Sequence, residues 1–492
     1  MKRSRLAACL GAIIATAWLA ACSTKGGPQG GSAEFDAGDF DATFAVDEGT
    51  DAPAEATPPV DAAADAGADT ATSTSDSGAP EAAAGEAGAP DSGVPDAAPE
   101  AGVDAAVADS AAPVEAGPLD SGVVGFGKAV SVSVGVDDAC ALTATGGVVC
   151  WGSNAYGQLG NGSSMTTPGY SDVPVQVTGI ASGATGVSVG DDFACAAVGG
   201  GVMCWGLNSF DNLGIPSTTM TSGVPVQVTG LASGVTAVSA GVYAACAIVS
   251  GGVVCWGGND GLQLGSATAP STTATPLQVT GLTSGVTALS LGYTSACAVV
   301  SGSVMCWGDN NQGQLGNNKQ GTNSPTPVQV SGLTTGATSV SVGNTSACAL
   351  VSGSVWCWGY NGYGELGIPP ATNVSAVPVQ VAGLTSVTAV SFGTFGDSVC
   401  ATTAAGDITC WGQGTSGQLG NMGASSSPSP VQVSGLTTGV TSPASGYDDA
   451  CAVVACGVQC WGNGTLGELG NGATSQSLVP QAVKLLGSTT CP

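Results

Sequence analysis

The sequence predicts an all-β fold, a seven-bladed β-propeller preceded by a disordered acidic linker rich in Ala, Pro and Gly. Three observations lead there. A Trp-Gly pair recurs at Trp151, Trp205, Trp256, Trp307, Trp358, Trp411 and Trp461, spaced by 50 to 54 residues, a period in the range of propeller blades. Each pair opens a ten-residue phrase ending in Leu-Gly, with Gln, Asn or Glu before the Leu, as in WGSNAYGQLG and WGYNGYGELG. Between the phrases lie short runs of Val, Ala, Ile and Thr punctuated by Gly, Ser and Asn, and nothing holds a helical period.

One period divides into four strands. In the third copy they read VTAVSAG, ACAIV, GVVCWG and, after a long loop, PLQVTGL, so seven copies give about 28 strands. Text such as VVCW is apolar on both faces. That suits blades stacked face to face around an axis better than a sheet with one wet side.

Composition narrows the partners. Only 9% of the 492 residues are charged, and 7 Lys plus Arg stand against 35 Asp plus Glu, a net charge of −28. That sign repels phosphate backbones and anionic headgroups, so no nucleic acid is expected.

The chain opens with Lys2, Arg3 and Arg5, an apolar run from about Leu6 to Trp18, and then Leu19-Ala20-Ala21-Cys22. This is the arrangement of a secretory signal, and the run is too short to span a bilayer. Leu-Ala-Ala-Cys resembles the bacterial lipobox, which implies a signal peptide over residues 1–21 and Cys22 as the acylated first residue of the mature chain. Ser23 resembles the residue that follows the cysteine in lipoproteins sorted to an outer membrane. The expected location is the bacterial envelope, at the outer membrane or cell surface, with the membrane reached through the lipid anchor alone. A plain signal peptide cut nearby, leaving Cys22 as a thiol, is the alternative.

Residues 22–122 form the next region. From residue 23 the text is almost all Ala, Asp, Glu, Pro, Gly, Ser and Thr and holds 21 of the 35 carboxylates. Such a stretch cannot bury enough apolar area to offset the entropy of ordering, and its charge extends it. It reads as a disordered tether for residues 123–492.

Within that repeat region the segments CAL, GGVVCWG, N-x-x-G-Q-L-G and PVQV resemble the regulator-of-chromosome-condensation repeat family. The resemblance runs from about residue 126 to the end and implies a seven-bladed propeller. It departs at one point. The family often carries a His just before Cys-Ala-Leu, whereas this chain has no histidine, and Asp, Tyr, Thr or Ala stand there. Some relatives act as nucleotide exchange factors for small GTPases and others as protein inhibitors; export argues against the first role.

Seven cysteine pairs fall one per repeat: Cys140 and Cys150, Cys195 and Cys204, Cys246 and Cys255, Cys297 and Cys306, Cys348 and Cys357, Cys400 and Cys410, Cys451 and Cys460. In the third copy a two-residue turn at Ser250-Gly251 makes Val249 and Gly252 the closing pair. Cys246 then faces Cys255 at a non-hydrogen-bonded pair, about 4.5 Å apart at Cα, close enough for a disulfide. The first and sixth copies carry one more residue, absorbed by a three-residue loop with Gly146 or Gly406 as the bulge. Cys456, at the tip of the last hairpin, is expected to pair with Cys491. Zinc is the competing reading, but there is no C-x-x-C spacing and no histidine, and an exported chain sits in an oxidising compartment.

In an up-and-down blade the loops joining first to second and third to fourth strands emerge on one rim. The opposite rim is monotonous, with SGG or SGS turns and TGLTSGVT crossovers. The first rim carries Phe193, Tyr243, Tyr293, Phe395 and Tyr447 in one loop set, and Tyr156, Tyr170, Phe210, Tyr360 and Tyr363 in the other. Asp137, Asp138, Asp191, Asp192, Asp448 and Asp449 lie among them. Aromatics beside carboxylates are the mixture expected of a recognition surface for protein, peptide or polysaccharide. Tyr156 and Tyr363 also admit a structural reading, because their loop recurs in every blade. The paired Asp residues could hold Ca²⁺, yet neither a 12-residue calcium loop nor a glycine-aspartate nonapeptide array is present, and turns and caps explain them more simply.

No catalytic residue is assigned. Without histidine the triad and imidazole mechanisms are closed, and Glu365 and Glu468, standing where most copies have Gln, read as repeat variation. With no Walker loop or dinucleotide fingerprint, no cofactor and no metal are expected. The expectation is a monomeric binding scaffold rather than an enzyme. A structural or adhesive envelope component without a single ligand is the alternative, and an exchange-factor-like regulator ranks below both.

Overall fold

Each Trp-Gly period folds into one antiparallel sheet whose strands follow chain order, first to fourth, and there are seven such sheets. The computed structural model describes residues 125–163, 169–369, 373–455, 457–484 and 486. The expected signal segment, lipid anchor, tether and Cys456–Cys491 bridge lie outside the described residues.

The third blade shows why these residues form these strands. Its strands are Val235–Ala240, Ala244–Val249, Gly252–Gly258 and Thr272–Gln278. Ser250 and Gly251 both take positive φ, 51° and 83°, which is the two-residue turn matching the right-handed twist of a hairpin. Val249 therefore pairs with Gly252, and Cys246 falls opposite Cys255. The first blade absorbs its extra residue as expected: Thr143 and Gly147 close a loop in which Gly146 has φ 79°.

The fourth strand differs from the sequence reading at both ends, closing at Gln278 rather than Leu282. The fourth strand begins at Thr272, ahead of Pro276, because the ladder shifts register between Cys255 and Gly257. Pro276 falls within that irregularity, where no ladder donor is required of it.

The first strands line a central cavity of about 140 Å³, and Ser133, Ser188, Ser239, Ser290, Ser341 and Ser391 face into it. Each of these hydroxyls accepts a backbone N–H from the next blade's first strand, at 2.9 to 3.1 Å: Val189, Ala240, Leu291, Val342, Phe392 and Ser445. The serines thus satisfy part of the inner sheet edge, which would otherwise stand unpaired. In the seventh blade Ala444 takes the serine's place opposite the cysteine.

The core is a set of seven layers between adjacent blades. All seven Trp-Gly tryptophans are fully buried there. Each indole buries roughly 200 Å², on the order of 5 kcal/mol before chain entropy is set against it. Its N–H donates to a carbonyl of the preceding blade: Trp205 to Gln158, Trp256 to Asn212, Trp307 to Gln263, Trp358 to Gln314, Trp411 to Glu365 and Trp461 to Gln418. The glycine ending the phrase makes room for this. At Gly160, with φ 63°, a Cβ would lie 2.8 Å from Trp205 Cδ1.

Among the described residues, ring closure shares no strand. The first blade is Ala129 to Gln176 and the seventh Val440 to Ala482, each complete in itself. They meet through the same indole clasp, Trp151 to Glu468, and through a parallel bridge between Gly127 and Leu486.

Candidate functional site

The ten-residue phrase is built to hold its own loop. Asn154 Oδ1 accepts the N–H of Leu159, and Asn208, Asn259, Asn310 and Asn361 repeat that bond to their own leucines. Gln158 accepts the N–H of Tyr156 through Oε1 and donates through Nε2 to Ser153 and Asp192. Tyr156 is thereby placed on a self-supporting loop, 40% exposed. Tyr363 likewise donates its N–H to Glu365, and the Tyr360 ring folds back over Gly362. The structural reading of this loop holds for its backbone.

The first-to-second loops behave differently, because they gather at the mouth of the central cavity. Four of the predicted aromatics on these loops, with Phe210 from the third-to-fourth loop of the second blade, form a continuous chain of rings there. Phe210 meets Tyr243 at 4.7 Å between centroids, Tyr243 meets Tyr293 at 5.4 Å, Tyr293 meets Phe395 at 5.2 Å, and Phe395 meets Tyr447 at 5.5 Å. The hydroxyls of Tyr243 and Tyr293 are 3.3 Å apart. The chain passes from the fourth blade to the sixth without a ring from the fifth, whose loop offers Asn344 and Thr345. All five rings are half-buried.

Phe193 corrects the sequence reading. It is fully buried in the layer between the second and third blades and presents nothing to the rim. Phe193 is the first residue of its strand, whereas Tyr243 precedes the corresponding residue, Ala244, by one. A one-residue step reverses the side of the chain on which a side chain emerges.

The acidic residues complete the circle. Asp137, Asp191 and Asp192 stand on the first and second blades and Asp448 on the seventh. Tyr447 donates its N–H to Gly135 beside Asp137, while the Asp191 charge acts on Tyr243 at the other end of the ring chain. Twelve of the propeller's fourteen carboxylates lie in or at the ends of this rim's two loop sets, against three lysines and no arginine in the whole repeat region.

Burial, reinforced at most of them by neighbouring carboxylates, raises nine of these carboxyls above their usual range. Burial, then Asp191 and Asp137, push Asp192 up to about 7. Burial, then Asp137, push Asp191 to about 6, and burial alone does the same for Asp397. Burial also lifts Glu468 to about 7 and Glu365 to about 8. Asp138 and Asp449, 1% and 2% exposed, are raised well above the carboxylate range by burial and by neighbouring carboxylates. Asp138 Oδ2 and both oxygens of Asp449 have no hydrogen-bond partner.

Asp397 is a rim member that sequence reasoning missed, and Glu365 and Glu468 are two that it read only as repeat variation. The signal for Asp397 was its place two residues after Phe395. The two glutamates do vary a repeat position, yet their carbonyls clasp the next tryptophan while their carboxyls add to the acidic rim.

The disulfides are where the spacing put them. Seven within-blade bridges join the predicted pairs, with Cα atoms 4.0 to 4.1 Å apart, and every bridged sulfur is buried between blades.

Comparison with known proteins agrees with this architecture. The regulator of chromosome condensation (RCC1) repeat matches residues 129–158, 145–197, 301–350, 352–396 and 405–453. The chain is 30% identical over 199 residues to the mitochondrial RCC1 domain-containing protein RUG3 of Arabidopsis thaliana, covering 38% of this chain and 44% of that protein. It is 32% identical over 138 residues to the ultraviolet-B receptor UVR8 of the same plant, covering 27% and 30%. The matches thus span less than half of these relatives. Human WBSCR16 shares the fold with a TM-score of 0.61 at 20% identity, over 69% of this chain and 94% of that one. Yeast RCC1 (Prp20), solved with Kap60, gives 0.61 at 20%, over 73% and 85%. Repeat matches that reach from the first blade into the seventh, on a ring of seven such sheets, show a propeller built of repeats of the regulator of chromosome condensation (RCC1) type.

Proposed function

We propose that the protein is an exported, lipid-anchored propeller that captures a macromolecular partner on the rim bearing the ring chain. The observation that carries this reading is the run of five half-buried aromatics, Phe210 to Tyr447, at the cavity mouth. Rings drawn from five loops on five blades do little for any single blade. They offer a rigid, amphipathic contact area of the kind that dominates binding energetics. Yeast RCC1 bound to Kap60 is a member of the same fold engaged with a protein, which supports a binding class.

Anchoring rests on the basic, apolar and Leu-Ala-Ala-Cys sequence before the tether. Two measurements test the proposal. Cells fed labelled palmitate should label the wild-type chain and not Cys22→Ser; an unlabelled wild type retained in the cytosol would end the anchoring claim. Cross-linking of the full chain in its envelope should yield a discrete adduct that is lost in Tyr293→Ala/Phe395→Ala. Equal adducts from wild type and variant would place the contact elsewhere.

A further inference from the structure

The rim combines two surfaces whose chemistry converges on one ligand class. Around the cavity mouth the first-to-second loops present, in blade order, Asp137, Asp191 with Asp192, Tyr243, Tyr293, the Asn344-Thr345 pair, Phe395 with Asp397, and Tyr447 with Asp448. An arc of rings and an arc of carboxylates therefore close into a single circle, joined at Tyr447 beside Gly135 and at Tyr243 beside Asp191. Beneath the acidic arc sit Asp138 and Asp449, almost wholly buried, with three carboxyl oxygens unpartnered. The charges acting on both are carboxylates of the same arc, Asp137 among them.

We propose that this circle is the docking site for a cationic polypeptide segment, whose lysine or arginine side chains enter the acidic arc while its backbone and stems lie across the rings. This rests on the binding-rim reading above and names the partner chemistry for it.

Three arguments select that class. Unpaired carboxylates in a half-buried cluster are costly, and a cation offsets the cost more directly than any neutral ligand. Ammonium and guanidinium groups are also what aromatic faces attract, so both arcs favour the same charge. A metal ion fits less well: among the described residues no three Asp, Glu, Cys or His side chains converge to hold one. The acidic arc extends over the seventh, first and second blades, a breadth that one small amine cannot occupy.

The site predicts its own pH signature. Asp137, Asp191, Asp192 and Asp448 line the ligand position, the buried Asp138, Asp449 and Glu468 lie below it, Gln158 and Ser416 donate to Asp192 and Asp448, and Asn463 and the Leu466 N–H donate to Glu468. With several of these carboxyls titrating at about 6 to 7, cation binding must displace protons. Affinity should therefore rise with pH across that interval and weaken with salt.

The test titrates the full chain with a fluorescent oligolysine peptide, with oligoglutamate and an uncharged peptide as controls. Oligolysine should bind about tenfold or more tightly at about pH 8 than at about pH 5, and the controls should not bind. Asp191→Asn/Asp192→Asn should lose about tenfold and flatten the pH profile, while Tyr243→Leu/Tyr293→Leu should weaken binding several-fold and leave its salt dependence intact. The wild-type pH and salt profiles need no variant, so a misfolded mutant leaves the proposal exposed to refutation. Oligolysine binding no tighter than the uncharged control, or independent of pH, would overturn it. If an anionic or neutral polymer were held instead and released by Tyr243→Leu/Tyr293→Leu, the rim would stand as a binding face and only the cationic class would fall.

Discussion

Trp151 in the first blade donates its indole N–H to the backbone carbonyl of Glu468 in the seventh, at 2.7 Å. The same clasp joins every neighbouring pair, but only here is there no chain continuing from one sheet to the next. The clasp, the Gly127–Leu486 bridge and the buried layer between the end blades hold this seam. Trp151→Phe keeps an aromatic ring in the seam but removes the donor, leaving a buried carbonyl unmet at a cost of about 1–2 kcal/mol, to which the space vacated by the smaller ring adds. Hydrogen exchange should then show faster opening confined to the first and seventh blades. Trp307→Phe, which deletes the corresponding bond at a chain-continuous seam, should produce no such localisation, and identical patterns would show that the seams are equivalent.

Each within-blade disulfide restrains the unfolded chain, and its removal is felt there as well as in the buried native contacts. Closing a loop of about ten residues is worth roughly 2–3 kcal/mol by chain entropy. Cys246→Ala/Cys255→Ala should lower stability by about that amount, read as a shift in denaturant midpoint at constant m-value. Peptide mapping without reductant should find each blade's two cysteines linked to each other. Bridges between blades would contradict the register in which Cys246 faces Cys255.

Gly160→Ala should be among the most damaging small substitutions. The residue has φ 63° and its new methyl would meet Trp205 Cδ1 at 2.8 Å, so backbone strain and overpacking act together. A loss of roughly 2–4 kcal/mol is expected by thermal or chemical denaturation. Gly179→Ala, with φ 78° but nothing within 4 Å, carries the strain alone and should cost less. Equal losses would mean that the contact with Trp205 is unimportant.

Stability should fall as pH rises. Asp191, Asp192, Asp397, Glu365 and Glu468 titrate in the folded protein at about 6 to 8, above their unfolded values, so the native state binds more protons in that interval. Their favourable contribution is complete below about pH 4 and is lost as pH climbs through the folded values. Glu365→Gln installs the residue that most other copies carry. It should raise the melting temperature at about pH 8 and change little at about pH 5. A lower melting temperature at pH 8 would show that burial of Glu365 is not the source of its raised pKa.

Much of the fold was legible because packing dictates the repeated residues. The glycine of each Leu-Gly lies against an indole or a valine, the Trp fills the seam, and Gln176 and its counterparts Gln227, Gln278, Gln329 and Gln432 each tie the third strand to the crossover. The start of the fourth strand was not legible, since Pro276 argues against a ladder that in fact accommodates it. On the rim, topology alone sent Tyr243, Tyr293, Phe395 and Tyr447 to one face. The fate of Phe193 turned on a single step of strand parity. The serine ring was written plainly in VSV, VSA and LSL, but its bonds run between residues more than fifty positions apart, and only ring closure brings them together.

Because no strand among the described residues is exchanged between the first and seventh sheets, every sheet corresponds to one stretch of about fifty codons. An in-frame duplication or deletion of such a stretch delivers or removes a whole sector, with its own cystine and its own indole for the neighbour. A torus locked by a strand borrowed from the far terminus would have to preserve that loan through any change in sector number. This gene is free of that constraint, and the circumference of its product can evolve one unit at a time.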